Sequence, residues 1–326
     1  MKLSRRPLRI GTRGSALALW QAERIRSLLA AAGHETQRVE IKTTGDLAPD
    51  APLSQLGSRA LFTKQIDDAL LEGRIDLAVH SLKDLPTQLP DGIIIGAVGE
   101  REDPSDAWVS RGAAGWETTP EGAVIGTSSL RRRAQLLYAR PDLHLVELRG
   151  NVDTRVSKLD SHAEWAAIVL ASAGLLRLGL GHRIAERLSP DVMLAAPGQG
   201  ALAVTARTGD KGIADAIRET VHHTATALQV SAERAFLGRL EGGCQVPVAA
   251  QATLHPAGSG KMLSLHGRIL SPDGNTMMEG RQAGRVAGEE DAAGIGVALA
   301  EQLLADGAGA ILGTARTIAA PSITEP

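Results

Sequence analysis

Near its start the chain reads Leu8-Arg-Ile-Gly-Thr-Arg-Gly-Ser15, and a run rich in alanine and leucine follows up to Gly33. The apolar residues before the glycines predict a short strand. Ser15 is a residue type that accepts hydrogen bonds from the free N–H groups at the start of a helix. Gly33 is a typical helix end, because glycine adopts a left-handed conformation without strain. Beyond it, Val39 and Ile41 are spaced by two, which indicates a second strand.

The same alternation continues through the first two thirds of the chain. Residues 61–72 have helical periodicity, and apolar strand-like runs follow at 75–79 and 92–98. Short strands that alternate with helices predict a mostly parallel sheet. After Asp103-Pro104 the pattern starts again, with predicted strands at 123–125, 143–148 and 167–171 and predicted helices at 129–139 and from Asn151. Pro197-Gly-Gln-Gly200 then leads to Val204, which we expect on a strand of the first unit. The sequence therefore predicts two α/β lobes joined by two crossings, a hinged clamp around a cleft.

The last third of the chain reads differently. A long helical stretch is predicted over 214–240, strands over 246–254 and 262–270, and a final helix over 289–304. This order predicts a small α+β domain. We expect the first domain to comprise residues 1–100 plus 201–219, the second 101–200 and the third 220–326.

Composition excludes several classes of protein. The 326 residues are 43% hydrophobic and 22% charged, with a formal net charge of -2 and only 2% aromatic residues. A near-neutral chain with so few aromatic side chains is unlike a general nucleic-acid binder. No apolar run reaches the length of a membrane span, and no apolar region follows the basic N-terminus, so we expect no secretory signal. Together with a single cysteine, these features predict a cytoplasmic enzyme.

Arginines gather where strands and helices are predicted to end or begin: Arg13, Arg131, Arg132, Arg149, Arg155 and Arg177. Thr127-Ser128-Ser129 opens the helix that carries two of them, and a helix start already favours an anion. Guanidinium groups add bidentate recognition of carboxylates. Taken alone, arginines at helix starts are more often solvated surface residues.

Two further features admit more than one interpretation. Asp84 follows Lys83 at the end of a predicted buried strand. By itself it is better explained as a helix cap or as the partner of Lys83 than as a catalytic group. Cys244 is the single cysteine and stands in Glu241-Gly-Gly-Cys-Gln-Val-Pro-Val248. It is either a small buried apolar residue or a thiolate held at the tip of a shaped loop, where it would be a nucleophile able to carry a covalent group.

Six motifs in order resemble those of the porphobilinogen deaminases, also called hydroxymethylbilane synthases. They are Gly11-Thr-Arg-Gly-Ser-Ala-Leu-Ala-Leu-Trp-Gln-Ala22, Asp76-Leu-Ala-Val-His-Ser-Leu-Lys-Asp-Leu-Pro86, Gly126-Thr-Ser-Ser-Leu-Arg-Arg132, Leu148-Arg-Gly-Asn-Val-Asp-Thr-Arg155, Pro197-Gly-Gln-Gly-Ala201 and the cysteine loop. The resemblance extends from about Arg9 to the C-terminal helix. It implies two lobes like type II periplasmic binding proteins, with a hinge, plus a small α+β C-terminal domain.

The resemblance also implies a reaction. Members of this family add four porphobilinogen molecules, with loss of ammonia, to a dipyrromethane cofactor and release hydroxymethylbilane, a step of haem and porphyrin biosynthesis. It implies that the cofactor is attached to Cys244 through a thioether and that Asp84 is catalytic. It further implies a monomer without a metal, whose product passes to uroporphyrinogen-III synthase.

The resemblance assigns contacts residue by residue. The implied cofactor contacts are Ser81, Lys83, Asp84, Thr127, Ser128, Ser129, Arg131 and Arg132. The implied substrate contacts are Arg13, Ser15, Phe62, Arg149, Arg155, Arg177 and Gln199.

Three residues depart from the family pattern. Arg59 and Ala60 stand where lysine and glycine are common, so the resemblance implies no conformation for the 43–60 loop. Asp153 stands where some members have glycine.

Two other functions remain as alternatives. A non-enzymatic two-lobe protein that binds a carboxylate would explain the arginines and the hinge, but not the cysteine loop. An acyl-transfer enzyme would need a histidine beside Cys244. The pair His222-His223 is better explained as solvated helix surface than as metal ligands.

Overall fold

The computed structural model describes residues 6–43, 60–112, 114–240, 246–258 and 260–319. Within them the strands are, in chain order, β1 (Leu8–Thr12), β2 (Thr36–Glu40), β3 (Leu77–Ser81), β4 (Ile93–Val98), β5 (Asp106–Ser110), β6 (Val124–Gly126), β7 (His144–Val146), β8 (Trp165–Ala171), β9 (Glu186–Arg187), β10 (Leu202–Arg207), β11 (Val248–Ala257), β12 (Gly260–Leu270) and β13 (Met277–Val286). The α-helices are α1 (Ala16–Ala31), α2 (Ala60–Leu71), α3 (Leu130–Ala139), α4 (Val152–Ser161), α5 (Ser172–Arg177), α6 (Lys211–Val221), α7 (Thr224–Arg239), α8 (Glu289–Leu303) and α9 (Gly309–Ala319).

The first lobe is a five-stranded sheet in the order β2-β1-β3-β10-β4. β1 is parallel to β2 and β3, whereas β10 is antiparallel to β3 and β4 because it enters from the second lobe. Ser15 caps α1 by accepting a hydrogen bond from Ala18 N at 3.4 Å, as the sequence predicts. Helices α1 and α6 bury Ile25, Leu29 and Ile217 against one face of the sheet, and α2 buries Ile66 against the other.

The second lobe is a five-stranded sheet in the order β7-β6-β8-β5-β9. β6 is parallel to β7 and β8, and β5 runs antiparallel to β8. One face buries Val156 and Leu159 of α4, and the other buries Trp108 with Leu136 of α3. The α/β class with two lobes is thus confirmed. The strands β5 and β9, which border the crossing, are not apparent in the sequence pattern.

The C-terminal domain packs α7 and α8 on one face of the antiparallel sheet β11-β12-β13. The predicted α+β class of this domain is confirmed, but the single long helix over 214–240 is wrong. The N–H of His223 leaves the helical ladder and donates to the carbonyl of Val98 at 2.7 Å. The Nδ1 atom of the same ring accepts from Thr226 N at 3.3 Å and caps α7. The chain therefore forms two helices, with a break at His222 and His223.

Helix α8 continues through a wide π-type turn, Leu304–Ala308, into α9, and Gly307 bends the backbone there with φ of 107°. The stretch Glu289–Thr314 has the length and the mean hydropathy, 1.4, that a membrane span would also have. In this fold Ile295, Leu299 and Leu303 of that stretch belong to the core of the C-terminal domain. A soluble core helix passes the same test.

Two crossings join the lobes, and both are tied to the C-terminal domain. Arg101 in the first crossing pairs with Glu233 of α7 at 2.7 Å, and Gly198 N in the second donates to the same carboxylate at 2.7 Å. Gly200 has φ of +86°, and a Cβ at this position would lie 2.3 Å from the carbonyl oxygen of Glu102. Only glycine fits where the second crossing passes so close to the first.

Candidate active site

A cavity of about 90 Å³ lies between the lobes at the carboxyl ends of β3, β6 and β8. Ligands of open α/β sheets bind at this edge. The polar side chains that line it come from both lobes: Ser81, Lys83, Arg132, Arg155 and Arg177. Gly200 of the second crossing also lines it. The clustering of arginines that the sequence suggests is therefore observed for Arg132, Arg155 and Arg177.

The loop from β6 to α3 is held by its own hydroxyl groups. Ser129 caps α3 by accepting from Arg132 N at 3.4 Å, and Thr127 Oγ1 accepts from Ser129 N at 3.3 Å. Ser128 Oγ donates to the carbonyl of Leu148 at 2.8 Å and accepts from its N–H at 2.9 Å. All three were predicted as cofactor contacts. In this structure they fix the loop that presents the arginines to the cleft.

Asp106 at the start of β5 is the residue that organises these arginines, and it is absent from the residues that the sequence analysis singled out. Its carboxylate is fully buried and pairs with Arg131 and Arg132, at 2.7 Å each. Burial alone would raise the pKa of Asp106, but the two guanidinium charges hold it well below its usual range. Arg131 also donates to the carbonyl of Leu194 at 2.6 Å, and Arg132 to that of Val169 at 2.9 Å. Both side chains are therefore rigid and almost fully buried.

Lys83 links the first lobe to this cluster. Its Nζ donates to Oε1 of Gln199 at 3.1 Å. Gln199 is fully buried, and its Nε2 donates to the carbonyl of Pro104 at 2.7 Å and to Asp106 at 3.2 Å. Gln199 was predicted as a substrate contact, but here it ties together the two crossings. Burial, together with the charge of Arg132, lowers the pKa of Lys83 to about 8.

Asp84 ends the short 3₁₀ turn Leu82–Asp84 that follows β3, and its side chain is exposed. Within the described part of the chain, no hydrogen bond or ion pair engages its carboxylate. Its charge nevertheless acts on Lys83 and on Arg155, which places it beside the cations of the cleft. An accessible, uncommitted carboxylate next to fixed cations can accept hydrogen bonds and exchange protons with a ligand.

Helix α4 brings Arg155 to the cleft, and Arg149 in the preceding loop acts on Arg155 through its charge. Arg155 is half-buried, and its Nε donates to the carbonyl of Gly150 at 2.7 Å. Burial, with the nearby charge of Arg132, lowers the pKa of Arg155 to about 10. Arg149 is half-buried and lies 3.6 Å from Glu147. Asp153, which stands where some members of the family have glycine, is exposed in the first turn of α4.

Arg177 crosses from α5 to the first lobe. Its Nη2 donates to the carbonyl of Gly200 at 2.6 Å, and its guanidinium carbon lies 5.5 Å from the ring centre of Trp20. Ser81 accepts a hydrogen bond from Gln21 at 2.8 Å, while Arg13 is half-buried in the loop before α1. The sequence did not single out Trp20 and Gln21, although both belong to the first motif.

Comparison with known proteins decides the family. The family model "porphobilinogen deaminase, dipyromethane cofactor binding domain" matches residues 8–215, and "porphobilinogen deaminase, C-terminal domain" matches residues 227–305. The chain is 50% identical over 310 residues to the porphobilinogen deaminase of Rubrobacter xylanophilus, covering 95% of this chain and 97% of that protein. It is 49% identical over 307 residues to that of Geotalea daltonii, covering 94% and 93%.

The chain belongs to the porphobilinogen deaminase family. Among solved structures, a periplasmic substrate-binding protein of an ABC transporter from Coxiella burnetii is similar at 15% identity. That similarity covers 66% of this chain and 97% of the other, with a TM-score of 0.40, and it decides nothing about fold or ligand.

The residues of the cleft fit the dipyrromethane cofactor of this family, which carries carboxylates. Arg131, Arg132, Arg155 and Lys83 stand against two acidic side chains, Asp84 and the buried Asp106. The pKa values of Lys83, Arg132 and Arg155 are lowered, chiefly by burial. Buried cations in excess of their counter-charges are a site for anionic groups.

Parts of the predicted site lie outside the described residues. Cys244 and its loop fall in 241–245, Arg59 falls in 44–59, and the side chain of Phe62 is not described. Ala60 is the first residue of α2. Within the described ranges no group of three His, Asp or Glu side chains could hold a metal ion. His222, predicted as solvated surface, is instead mostly buried at the end of α6, and its Nδ1 makes no hydrogen bond.

Proposed function

We propose that this chain is a hydroxymethylbilane synthase in which Asp84 is the catalytic group and the cations of the cleft hold the carboxylates of cofactor and substrate. The enzyme condenses four porphobilinogen molecules head to tail, with loss of ammonia, and releases hydroxymethylbilane by hydrolysis. The observation that carries the assignment of roles is the pairing of one uncommitted carboxylate, Asp84, with a cleft lined by Lys83, Arg132 and Arg155.

The cations divide by position. Arg131 and Arg132 are fixed by Asp106 close to the second crossing, so we assign them to the dipyrromethane cofactor. Arg149 and Arg155 lie farther along the second lobe, at the start of α4, and we assign them to the incoming substrate. Each porphobilinogen carries two carboxylates, an acetate and a propionate, which guanidinium groups bind in pairs of hydrogen bonds.

We place Asp84 beside the reacting ring, because its charge acts on Lys83 and Arg155, which would hold the ligand carboxylates. Loss of ammonia from porphobilinogen leaves a cationic methylene pyrrole, and a carboxylate beside it lowers the energy of that cation. The cofactor, when bound, supplies the pyrrole α-carbon that attacks. The oxygens of Asp84 accept hydrogen bonds from pyrrole N–H groups, take up the proton that the α-carbon loses and pass it to solvent or to the amine of the next substrate.

We further propose that the chain acts as a cytoplasmic monomer and that its product passes to uroporphyrinogen-III synthase. The single cysteine supports the compartment, since a thiol needed for cofactor attachment stays reduced there. Both the monomer and the transfer of product rest on the family.

Intact mass tests the cofactor. Wild-type protein should exceed its sequence mass by two porphobilinogen units that have lost ammonia, and Cys244→Ser should not. If wild-type protein stays at its sequence mass after incubation with porphobilinogen, the covalent cofactor is wrong. A non-enzymatic carboxylate-binding protein would bind porphobilinogen without releasing ammonia or gaining mass.

Asp84→Asn tests the catalytic group. The variant should carry the cofactor, yet its rate of hydroxymethylbilane formation should fall by about 10²–10⁴-fold, the contribution of a general acid–base group. Asp215→Asn, an exposed aspartate on α6, is the matched control and should keep the wild-type rate. Turnover by Asp84→Asn within a few-fold of this control would refute the assignment.

A further inference from the structure

Arg268 of β12 is an almost fully buried arginine at the contact between the C-terminal domain and the second lobe. Its Nη1 donates to Oε1 of Gln135 at 2.9 Å and to the carbonyl of Asp191 at 3.2 Å. Its Nη2 donates to Oε2 of Glu279 on β13 at 2.8 Å. The side chain thus carries a charge from the third domain into the second lobe, where it meets the amide of Gln135.

Gln135 connects Arg268 to the arginines of the active site through hydrogen bonds to Leu194. It lies on α3, one turn beyond Arg131, and is fully buried. Its Oε1 accepts from Leu194 N at 2.9 Å, and its Nε2 donates to the Leu194 carbonyl at 3.1 Å. That carbonyl also accepts from Arg131 at 2.6 Å. Arg131 and Arg132 share Asp106, so a continuous set of buried hydrogen bonds joins Arg268 to the pair.

Two other contacts hold the third domain at this place. Ala250 N of β11 donates to the carbonyl of Ala195 at 3.0 Å, next to Leu194. Gly274, in the turn between β12 and β13, has φ of +76° and lies so close to α3 that a Cβ would be 2.8 Å from Ala134 O and from Tyr138 N. The third domain therefore sits in one register against the second half of α3, at Gln135 and around Ala134 and Tyr138.

The position of the third domain along α3 matters because the proposed attachment residue of the cofactor and the arginines assigned to it belong to different domains. The attachment residue, Cys244, belongs to the segment that leads directly into β11, whereas the arginines assigned to the carboxylates of the cofactor open α3. A shift of the third domain along α3 would move one end of the cofactor relative to the other. Small displacements of a reacting group reduce rates steeply.

We propose that Arg268 is a positioning residue that sets Arg131 and Arg132 relative to the cysteine end of the cofactor. This inference rests on the proposed function. Without Arg268, Gln135 Oε1 retains only the N–H of Leu194, and the third domain loses its charged contact with α3. The condensation step slows, while binding of porphobilinogen through Arg149 and Arg155 is little changed.

The test compares Arg268→Leu with Arg268→Lys and with Arg285→Leu, an exposed arginine on the neighbouring strand β13. We expect kcat of Arg268→Leu to fall on the order of ten-fold, with KM for porphobilinogen changed less than three-fold, as for a residue that acts through others. Arg268→Lys should recover part of kcat, and Arg285→Leu should match wild type. Intact mass shows in each case that the cofactor is present.

Gln135→Met keeps the test decisive if Arg268→Leu does not fold. It removes the shared amide with little change in volume and should lower kcat in the same way. In the double variant the two losses should not add, because both substitutions break one path. Arg268→Leu or Gln135→Met with wild-type kcat would overturn the proposal, as would a fall only in thermal stability. Wild-type protein that makes no hydroxymethylbilane would instead overturn the proposed function.

Discussion

Asp106→Asn removes the negative charge that holds Arg131 and Arg132 together. The carboxylate is fully buried and lies 2.7 Å from each guanidinium, and both arginine side chains are only 7% exposed. Removal of one member of a buried ion cluster leaves uncompensated charge in the interior and costs about 3–5 kcal/mol. For a chain of this size about 2–4 °C of melting temperature accompanies each kcal/mol, so Tm should fall by roughly 6–20 °C.

The same reasoning fixes the pH dependence. The pKa of Asp106 in the folded protein is depressed below its unfolded value of about 3.9. Its contribution to stability is therefore fully present above the unfolded pKa, and it is lost only as the pH falls through the folded pKa. The difference in free energy of unfolding between wild type and Asp106→Asn should stay constant from pH 8 down to about pH 5.

Urea unfolding followed by tryptophan fluorescence measures this difference in free energy in the second lobe. Of the 4 tryptophans, Trp108, Trp116 and Trp165 are buried in the second lobe, so the signal reports chiefly on the lobe that holds Asp106. Asp160→Asn is the control. It breaks the ion pair with Arg183 in the same lobe, but its side chain is 50% exposed, and such pairs contribute about 0–1 kcal/mol. Equal unfolding midpoints for the two variants would refute the buried charged cluster.

Three further outcomes follow from the structure. Burial, reinforced by the charge of Arg132, lowers the pKa of Lys83 to about 8, so its positive charge is lost between pH 7 and 9. KM for porphobilinogen should rise over this interval, and the rise attributable to this group should be absent in Lys83→Arg. Burial lowers the pKa of His80 from 6.5 to about 4, so only the unfolded chain gains a proton as the pH falls from 6.5 to 4. Stability should decline over this window, and His80→Gln should flatten the decline of the urea midpoint. Gly200→Ala places a Cβ 2.3 Å from a backbone oxygen at φ of +86°, whereas Gly33→Ala meets no atom within 4 Å at φ of +84°. The second variant should lose about 1 kcal/mol of stability and the first several times as much, and equal losses in thermal unfolding would contradict the close crossing.

Much of the fold is readable from the sequence because its signals are local. Ser15 before an alanine-rich run and Gly33 after it mark α1 at both ends, and the structure agrees. Strand β13 was missed because glycines stand where a strand normally carries apolar residues. Gly280 and Gly284 lie beneath α8, where a Cβ would come within 3.0 Å of Leu299 and 3.2 Å of Ile295. Close packing of the helix thus removed the alternation that identifies a strand.

The site was predicted less completely, since its organisation depends on contacts between residues far apart in the chain. Asp106 follows Asp103-Pro104 and reads as part of a linker, yet it pairs with arginines 25 and 26 residues later. Gln199 was recognised as part of a motif, but the motif does not reveal that its amide faces the crossings. A search for acidic residues near each crossing would have found Asp106 as a candidate. Its partners could not have been assigned.

The positive charge of the cleft and its small volume together indicate that the two lobes move apart when ligand binds. A near-neutral chain has concentrated Lys83, Arg132, Arg155 and Arg177 around a space of about 90 Å³. Ligands of drug size occupy pockets of about 300 Å³ or more. We therefore expect the lobes to separate when substrate and a lengthening pyrrole chain enter the cleft. Arg177 donates to the second crossing and lies over the ring of Trp20 in the other lobe, so separation of the lobes would break the contact with Trp20. Carboxylates that bind the opened site would compensate cations that burial destabilises. The charge that attracts the ligand thus also supplies part of the free energy for opening.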